Sequence, residues 1–291
     1  MRITHFRRSD DATIRIGIVR DAFIHDATEL LPPADPTAPD LGLGHRFDLD
    51  GAFWQQLQAT GDDLPAIPLG SVTVTAPVTR PGKVICIGLN YADHAAESGM
   101  EPPASPLVFS KFPSNVVGPE STVPMPLDES ETDYEAELAV VIGRRAWRID
   151  ESAAMDHVLG YACANDLSAR AFQFADGQWQ RGKSCEGFCP LGPFIATTDE
   201  IPDPHTLRIR LRLNGETVQD SNTNQLIFRV PQLVSYLSSF VALEPGDVIL
   251  TGTPPGVGFA RKPPIRLKAG DRMEVEIEGL GVLGTRMENG E

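Results

Sequence analysis

The segment 133–143 constrains this chain more than any other. It reads Asp-Tyr-Glu-Ala-Glu-Leu-Ala-Val-Val-Ile-Gly. Successive residues of a strand point to opposite faces. Tyr134, Ala136, Leu138, Val140 and Ile142 form one face, and Glu135, Glu137, Ala139 and Val141 form the other. Both faces are apolar beyond Glu137, the pattern of a strand covered on both sides. A chain with such a strand must build a layer above it and a layer below it. Glu135 and Glu137 then point together into a place where unpaired charge is costly. A cation compensates them most simply, and an all-oxygen donor set suits Mg²⁺, Mn²⁺ or Ca²⁺. The competing reading is a strand end that still lies in solvent. A second segment supplies the contrast: Glu274, Glu276 and Glu278 alternate with Met273, Val275 and Ile277, as in a strand with one wet face.

Elsewhere short strands and turns dominate, with 26 glycines and 25 prolines in 291 residues. Strands are expected over 15–19, 83–88, 138–143, 161–165, 207–213 and 248–250. Asn214-Gly215 is expected to turn a hairpin. Helical turns are expected at 53–57, and Asp150 is expected to cap a short helix ending near Gly160. The clearest helix is 231–241. Pro231 fits its first turn, and Leu233, Val234, Leu237, Phe240 and Val241 share a face. The stretch 30–44 reads as loop, and a Pro-rich stretch over 64–70 leads into the body. There is no regular βαβ rhythm. The expected fold is α+β and β-rich, with strands curled around a site. Residues 1–75 are expected to form a small N-terminal module, and 76–291 the catalytic body.

Acidic residues outnumber basic ones by 40 to 25, a net charge of −15. That argues against nucleic acid, whose phosphates need a basic footprint. An anionic substrate would require a local cation cluster or a metal to reverse the field. No run of 18 apolar residues suggests a membrane span, and no apolar block follows the basic N-terminus as in a signal peptide. Cys86, Cys163, Cys185 and Cys189 form no C-x-x-C pair. They are expected to be reduced thiols in a cytoplasmic protein, and Cys185 and Cys189 lack the second pair a zinc site needs.

Four further segments carry chemistry. Asp166 follows an apolar strand and precedes a helical turn, so it is either a third carboxylate for the metal or a helix cap. His94 and Glu97 are three apart and face each other on a helical turn. They are either a base oriented by a carboxylate or a surface pair. Lys183 lies in a Gly-flanked loop where it could neutralise an anion. The 251–258 segment (TGTPPGVG) permits close backbone approach to a ligand, but it lacks the Gly-Lys-Ser/Thr of a Walker loop. Plain turns are the alternatives for these last two.

Six segments occur in a specific order: GLNYADHAAESG at 88–99, SKFPSNVVGP at 110–119, DYEAELAVVIG at 133–143, NDLSARAFQ at 165–173, RGKSCEGFCPLGP at 181–193 and GDVILTGTPPGVG at 246–258. Together they resemble the fumarylacetoacetate hydrolase family, over about residues 80–281, and most closely its short acylpyruvase or diketo-sugar-acid hydrolase-like branch. The resemblance implies a mixed β-roll and a homodimer. It implies a metal triad of Glu135, Glu137 and Asp166 loaded with Mg²⁺ or Mn²⁺, with Ca²⁺ as a substitute. It implies a His94–Glu97 dyad on a lid, and Lys183 beside the substrate oxygen. Arg170, Gln173 and Thr253 match substrate-contacting positions. The longer branch has a further upstream aspartate on its metal, for which no counterpart stands out here. The implied reaction is hydrolysis of a C–C bond in a 2,4-dioxo acid such as an acylpyruvate, fumarylpyruvate or 2,4-diketo-3-deoxy sugar acid. The enolate of a 2-oxo acid would be left on the metal. Decarboxylation of oxaloacetate, or hydration or isomerisation of an unsaturated 2-oxo acid, uses the same site. A non-catalytic 2-oxo-acid-binding protein is the reading outside enzymology.

Overall fold

The computed structural model describes residues 1–31, 46–60, 63–97, 101–126 and 131–290. The expected loop lies outside these residues except at its first two positions, and so do Ser98 and Gly99 of the first motif. The central strand is Ala136–Ile142, and all seven of its residues are buried. It pairs antiparallel with Val158–Asn165 on one side and with Val248–Leu250 on the other. From Val248–Leu250 the sheet continues through Val84–Gly88, in parallel, to Leu107–Lys111. From Val158–Asn165 it continues through Cys189–Thr197, Arg2–Arg8, Asp11–Arg20 and Phe23–Asp26 to Ala66–Pro68. Val72–Val74 and Val116–Val117 pair off this path, making twelve strands. A five-stranded sheet, in the order Glu216–Asn222, Arg208–Leu213, Arg272–Ile277, Gly281–Glu288, Ser121–Pro124, packs against it.

The two-faced apolar pattern of the central strand has a direct structural cause. Leu138, Val140 and Ile142 join a core with Ile209, Leu211, Val275 and Ile277 of the second sheet and with Leu233, Val234 and Leu237 of a helix. Ala139 and Val141 join a second core with Ile3, Ile16, Ile18, Phe53, Trp54 and Leu57. Each fully buried Ile, Leu or Val contributes about 1.5–3 kcal/mol relative to exposure, so both layers hold this strand in place. The N-terminal strands and the Ala52–Thr60 helix supply the second layer. The boundary expected near residue 75 falls just after Val72–Val74, and the large sheet and the second core run across it. The β-rich architecture with few helices is as expected.

The Asn214-Gly215 hairpin is present, with φ of 52° and 86° at its two turn residues. Two local expectations need correction. Asp150 makes no capping hydrogen bond: a 3₁₀ segment, Glu151–His157, follows it, and Val158 already begins a strand. The main helix is Val230–Ser238, shorter than expected. Its face holds Leu233, Val234 and Leu237, but Phe240 lies beyond the helix end and is 56 % exposed.

Candidate metal centre and active site

Antiparallel pairing assembles the centre. Ala136 lies opposite Asn165 and Glu137 opposite Ala164, so the start of one strand adjoins the end of the other. Asn165 Oδ1 accepts a hydrogen bond from the Glu135 amide at 2.9 Å, and the Asp166 amide donates to the Glu135 carbonyl at 2.8 Å. Carboxylate oxygens of Glu135, Glu137 and Asp166 thus converge within 4.8 Å of one another, all three residues buried. The glutamate pair is not a wet strand end, and Asp166 caps no helix: the helix Arg170–Ala175 begins after Ala169, with no side-chain cap.

Cations surround this cluster. Lys183 Nζ donates to Glu135 Oε2 at 2.8 Å and to Asp166 Oδ2 at 2.7 Å. Arg170 reaches Glu135 Oε1 at 2.6 Å and Asp133 Oδ2 at 2.7 Å. Lys111 Nζ donates to Asp166 and, at 2.9 Å, to the Leu167 carbonyl. These are the local positive charges that a chain of net charge −15 needs around an anion site. Burial raises the Glu135 pKa, but the Lys183 and Arg170 charges outweigh it and bring it down to about 2. Glu137 goes the opposite way. Burial first, then the Asp166 and Glu135 charges, push it well above the ordinary carboxylate range. Burial opposes the Lys183 charge, yet Asp166 and Glu135 hold its pKa above the usual lysine value. Three buried carboxylates converging on one point are a donor set of the chemistry a hard divalent cation takes.

The 251–258 loop ties this centre to the His94–Glu97 dyad. The Gly252 amide donates to Glu137 Oε2 at 2.6 Å. At the loop's far end the Gly256 amide donates to Glu97, at 3.1 Å to Oε1 and 3.2 Å to Oε2. Glu97 Oε2 also lies 3.2 Å from His94 Nδ1, so one carboxylate serves the imidazole and the loop together. Both residues lie on the short helix Ala92–Glu97. Thr253 Oγ1 accepts from Gln219 Nε2 at 2.9 Å, and Gln219 Oε1 accepts from the Ala136 amide at 2.9 Å. Gln173 is buried and accepts from Arg170 Nη1 at 3.0 Å. The structure therefore brings Arg170, Gln173 and Lys183 to the triad, and sets His94, Glu97 and Thr253 along the adjoining loop.

Lys111, Asp133 and Gln219 were not among the expected site residues. Lys111 lies in the SKFPSN motif, which marked the segment without singling out the side chain. Asp133 shares the Glu135–Glu137 face. It anchors Arg170 and accepts from the Gly258 and Phe259 amides at 2.7 and 3.0 Å. The four cysteines are free thiols. Among the described residues, no helix is long and apolar enough to cross a membrane.

A rat (Rattus norvegicus) protein named as a mitochondrial oxaloacetate tautomerase is 52 % identical over 227 residues, covering 78 % of this chain and 72 % of that protein. The structure is similar to that of a fumarylacetoacetate hydrolase from Exiguobacterium antarcticum (TM-score 0.84, 35 % identity, 99 % of each chain). It is also similar to that of maleylpyruvate hydrolase from Sphingobium in complex with manganese(II) and pyruvate (TM-score 0.82, 31 % identity, 100 % of each chain). The model of the fumarylacetoacetate (FAA) hydrolase C-terminal domain matches residues 83–288, and this chain belongs to the fumarylacetoacetate hydrolase family.

Proposed function

We propose that this chain is a metal-dependent enzyme that interconverts the enol and keto forms of a small 2-oxo acid, with oxaloacetate as its substrate. The observation that carries the reading is the convergence of Glu135, Glu137 and Asp166 beside two buried lysines and Arg170. These three carboxylates would hold Mg²⁺ or Mn²⁺. When bound, the ion supplies Lewis-acid polarisation to the 2-oxo group. Lys183 and Arg170 keep Glu135 ionised and add positive charge where an enolate oxygen develops. Glu97 accepts from Nδ1, orients the His94 ring and leaves the Nε2 lone pair free to take up and hand on a proton. In enol-to-keto conversion one proton leaves the C2 hydroxyl and one arrives at C3, so nothing else is consumed. Gln173 and Thr253 would contact the substrate. A homodimer and a cytoplasmic location belong to the same reading, although the rat relative is named as mitochondrial.

The expectation of C–C hydrolysis gives first place to tautomerisation because of the 52 % identity to a protein of that name. It stays as the second reading, favoured by the oriented His94–Glu97 pair, which suits activation of water. The similarity to the solved fumarylacetoacetate and maleylpyruvate hydrolases also supports it. One assay separates the two. Enol oxaloacetate, acylpyruvates and fumarylpyruvate are supplied with Mg²⁺ or Mn²⁺, and enol absorbance and released acids are followed. Accelerated loss of enol without cleavage or CO₂ is the expected result, with His94→Ala slower by about 10²–10⁴-fold. Full activity after exhaustive chelation would refute the reading.

A further inference from the structure

Asn90 is buried, lies two residues before the Ala92–Glu97 helix, and has no role in the chemistry above. Its hydrogen bonds join three elements. Nδ2 donates to the Thr251 carbonyl at 2.8 Å and to the Phe228 carbonyl at 3.0 Å, and Oδ1 accepts from the Phe228 amide at 2.7 Å. Its own carbonyl accepts from the Ile227 amide at 2.9 Å. The residue before it, Leu89, is in the left-handed region at φ 51°, so the chain turns sharply out of the Val84–Gly88 strand there. Gly252 packs against Asn90 so closely that a Cβ would come within 2.8 Å of the Asn90 Cβ. The same Gly252 donates its amide to Glu137.

The platform under Asn90 is held without it. The Thr251 amide and hydroxyl both donate to the Leu138 carbonyl, at 3.1 and 2.9 Å, on the central strand. Phe228 precedes the helix Val230–Ser238, whose first amide donates to His205 Nε2 at 3.1 Å. The dyad helix is held more sparsely. Beyond Asn90 it has the Tyr91–Leu226 bridge, the Ser221–Asp93 hydrogen bond at 2.5 Å and the Glu97 latch on Gly256. Asn90 is thus the buried polar side chain that fixes the root of this helix to the loop that touches Glu137.

We propose that Asn90 is a positioning residue that sets the register of the His94–Glu97 pair against the metal triad. This rests on the proposed function for its kinetic consequence, but its structural content stands apart from it. Removing the clamp should loosen the dyad helix and leave the triad in place, because the triad is carried on paired strands. An error of about 1 Å in such a helix costs on the order of 10²-fold in rate.

The test uses the full chain with Asn90→Ala and Asn90→Asp. The aspartate keeps the shape and the acceptor for Phe228 and loses both donors. Amide exchange, Mn²⁺ titration and steady-state kinetics are measured on both. Expected are faster exchange confined to residues 91–97, Mn²⁺ affinity within about threefold of wild type, and kcat lower by about 10–100-fold with KM nearly unchanged. Wild-type exchange in 91–97 in a folded variant overturns the proposal. So does faster exchange that spreads to the Ala136–Ile142 strand, which marks a general fold role instead. If wild-type protein binds Mn²⁺ but turns over no 2-oxo acid, the functional reading fails, and the exchange data alone decide Asn90.

Discussion

Two strands of this protein carry glutamates two residues apart, and they do opposite things with them. On Arg272–Ile277, Glu274 and Glu276 stay partly exposed beside Arg212, whose Nε lies 3.1 Å from Glu274. Arg212, aided by Arg210, holds the Glu276 carboxyl below its usual pKa. At the head of the central strand, Glu135 and Glu137 are buried, and burial together with Asp166 and Glu135 drives Glu137 upward. The alternation is the same. What differs is the cover: the N-terminal strands and helix pack on Ala139 and Val141 of the same face, and Lys183, Arg170 and the Gly252 amide close on the glutamates themselves, while the glutamate face of the other strand is left to water. A carboxylate pair that loses its solvent needs a cation as compensation, which is why this pair, and not the other, is the candidate metal site.

Mutations at matched positions should separate the two strands by decreasing amounts. Glu137→Ala should lower turnover of a 2-oxo acid by about 10³-fold or more, the scale of several kcal/mol of Lewis-acid stabilisation. Glu276→Ala, measured in the same assay, should stay near wild type. Equal losses at both positions would erase the distinction.

Stability without metal gives a smaller effect of opposite sign. The folded pKa of Glu137 lies above its unfolded value. Its contribution is therefore present below the ordinary carboxylate pKa of about 4.3 and is lost as pH rises through the folded value. In chelator, Glu137→Gln should melt at or above the wild-type temperature at neutral pH, with a gap that closes toward pH 4. Each kcal/mol is worth about 2–4 °C. A wild-type protein that stays more stable than Glu137→Gln at pH 8 in chelator would contradict this.

The smallest effect belongs to Glu276→Gln. The Glu276 pKa is depressed, so its contribution is present at neutral pH and is lost as pH falls through and below the usual carboxylate range. Because the side chain is 40 % exposed, solvent screening limits the pair to about 0.2–1 kcal/mol. Urea unfolding at pH 7 and pH 3 reads the difference directly.

The legible parts of the site are those written in local sequence. A period of two along one strand puts Glu135 and Glu137 together, and a spacing of three on one helical turn pairs His94 with Glu97, but the ordered motifs were needed to choose a site over a wet strand end or a surface pair. Asp166 needed the ordered motifs, since a carboxylate before a helix is commonly a cap. Lys111 was out of reach: it ends a different strand, 55 positions from Asp166, and only the folded sheet brings the two together. Gln219 links the Thr253 loop to the Ala136 amide across 83 positions and is invisible for the same reason. In the fold, the buried strand, the hairpin and the β-rich class were readable. The end of the main helix was not: its apolar pattern runs on through Phe240, but the helix stops at Ser238 before that side chain can turn inward.

The most direct test of this account is Mn²⁺ titration of wild-type, Glu137→Gln and Glu276→Gln protein by calorimetry. One Mn²⁺ per chain is expected in wild type and in Glu276→Gln, with loss of that binding in Glu137→Gln. Mn²⁺ binding that survives Glu137→Gln unchanged would contradict it.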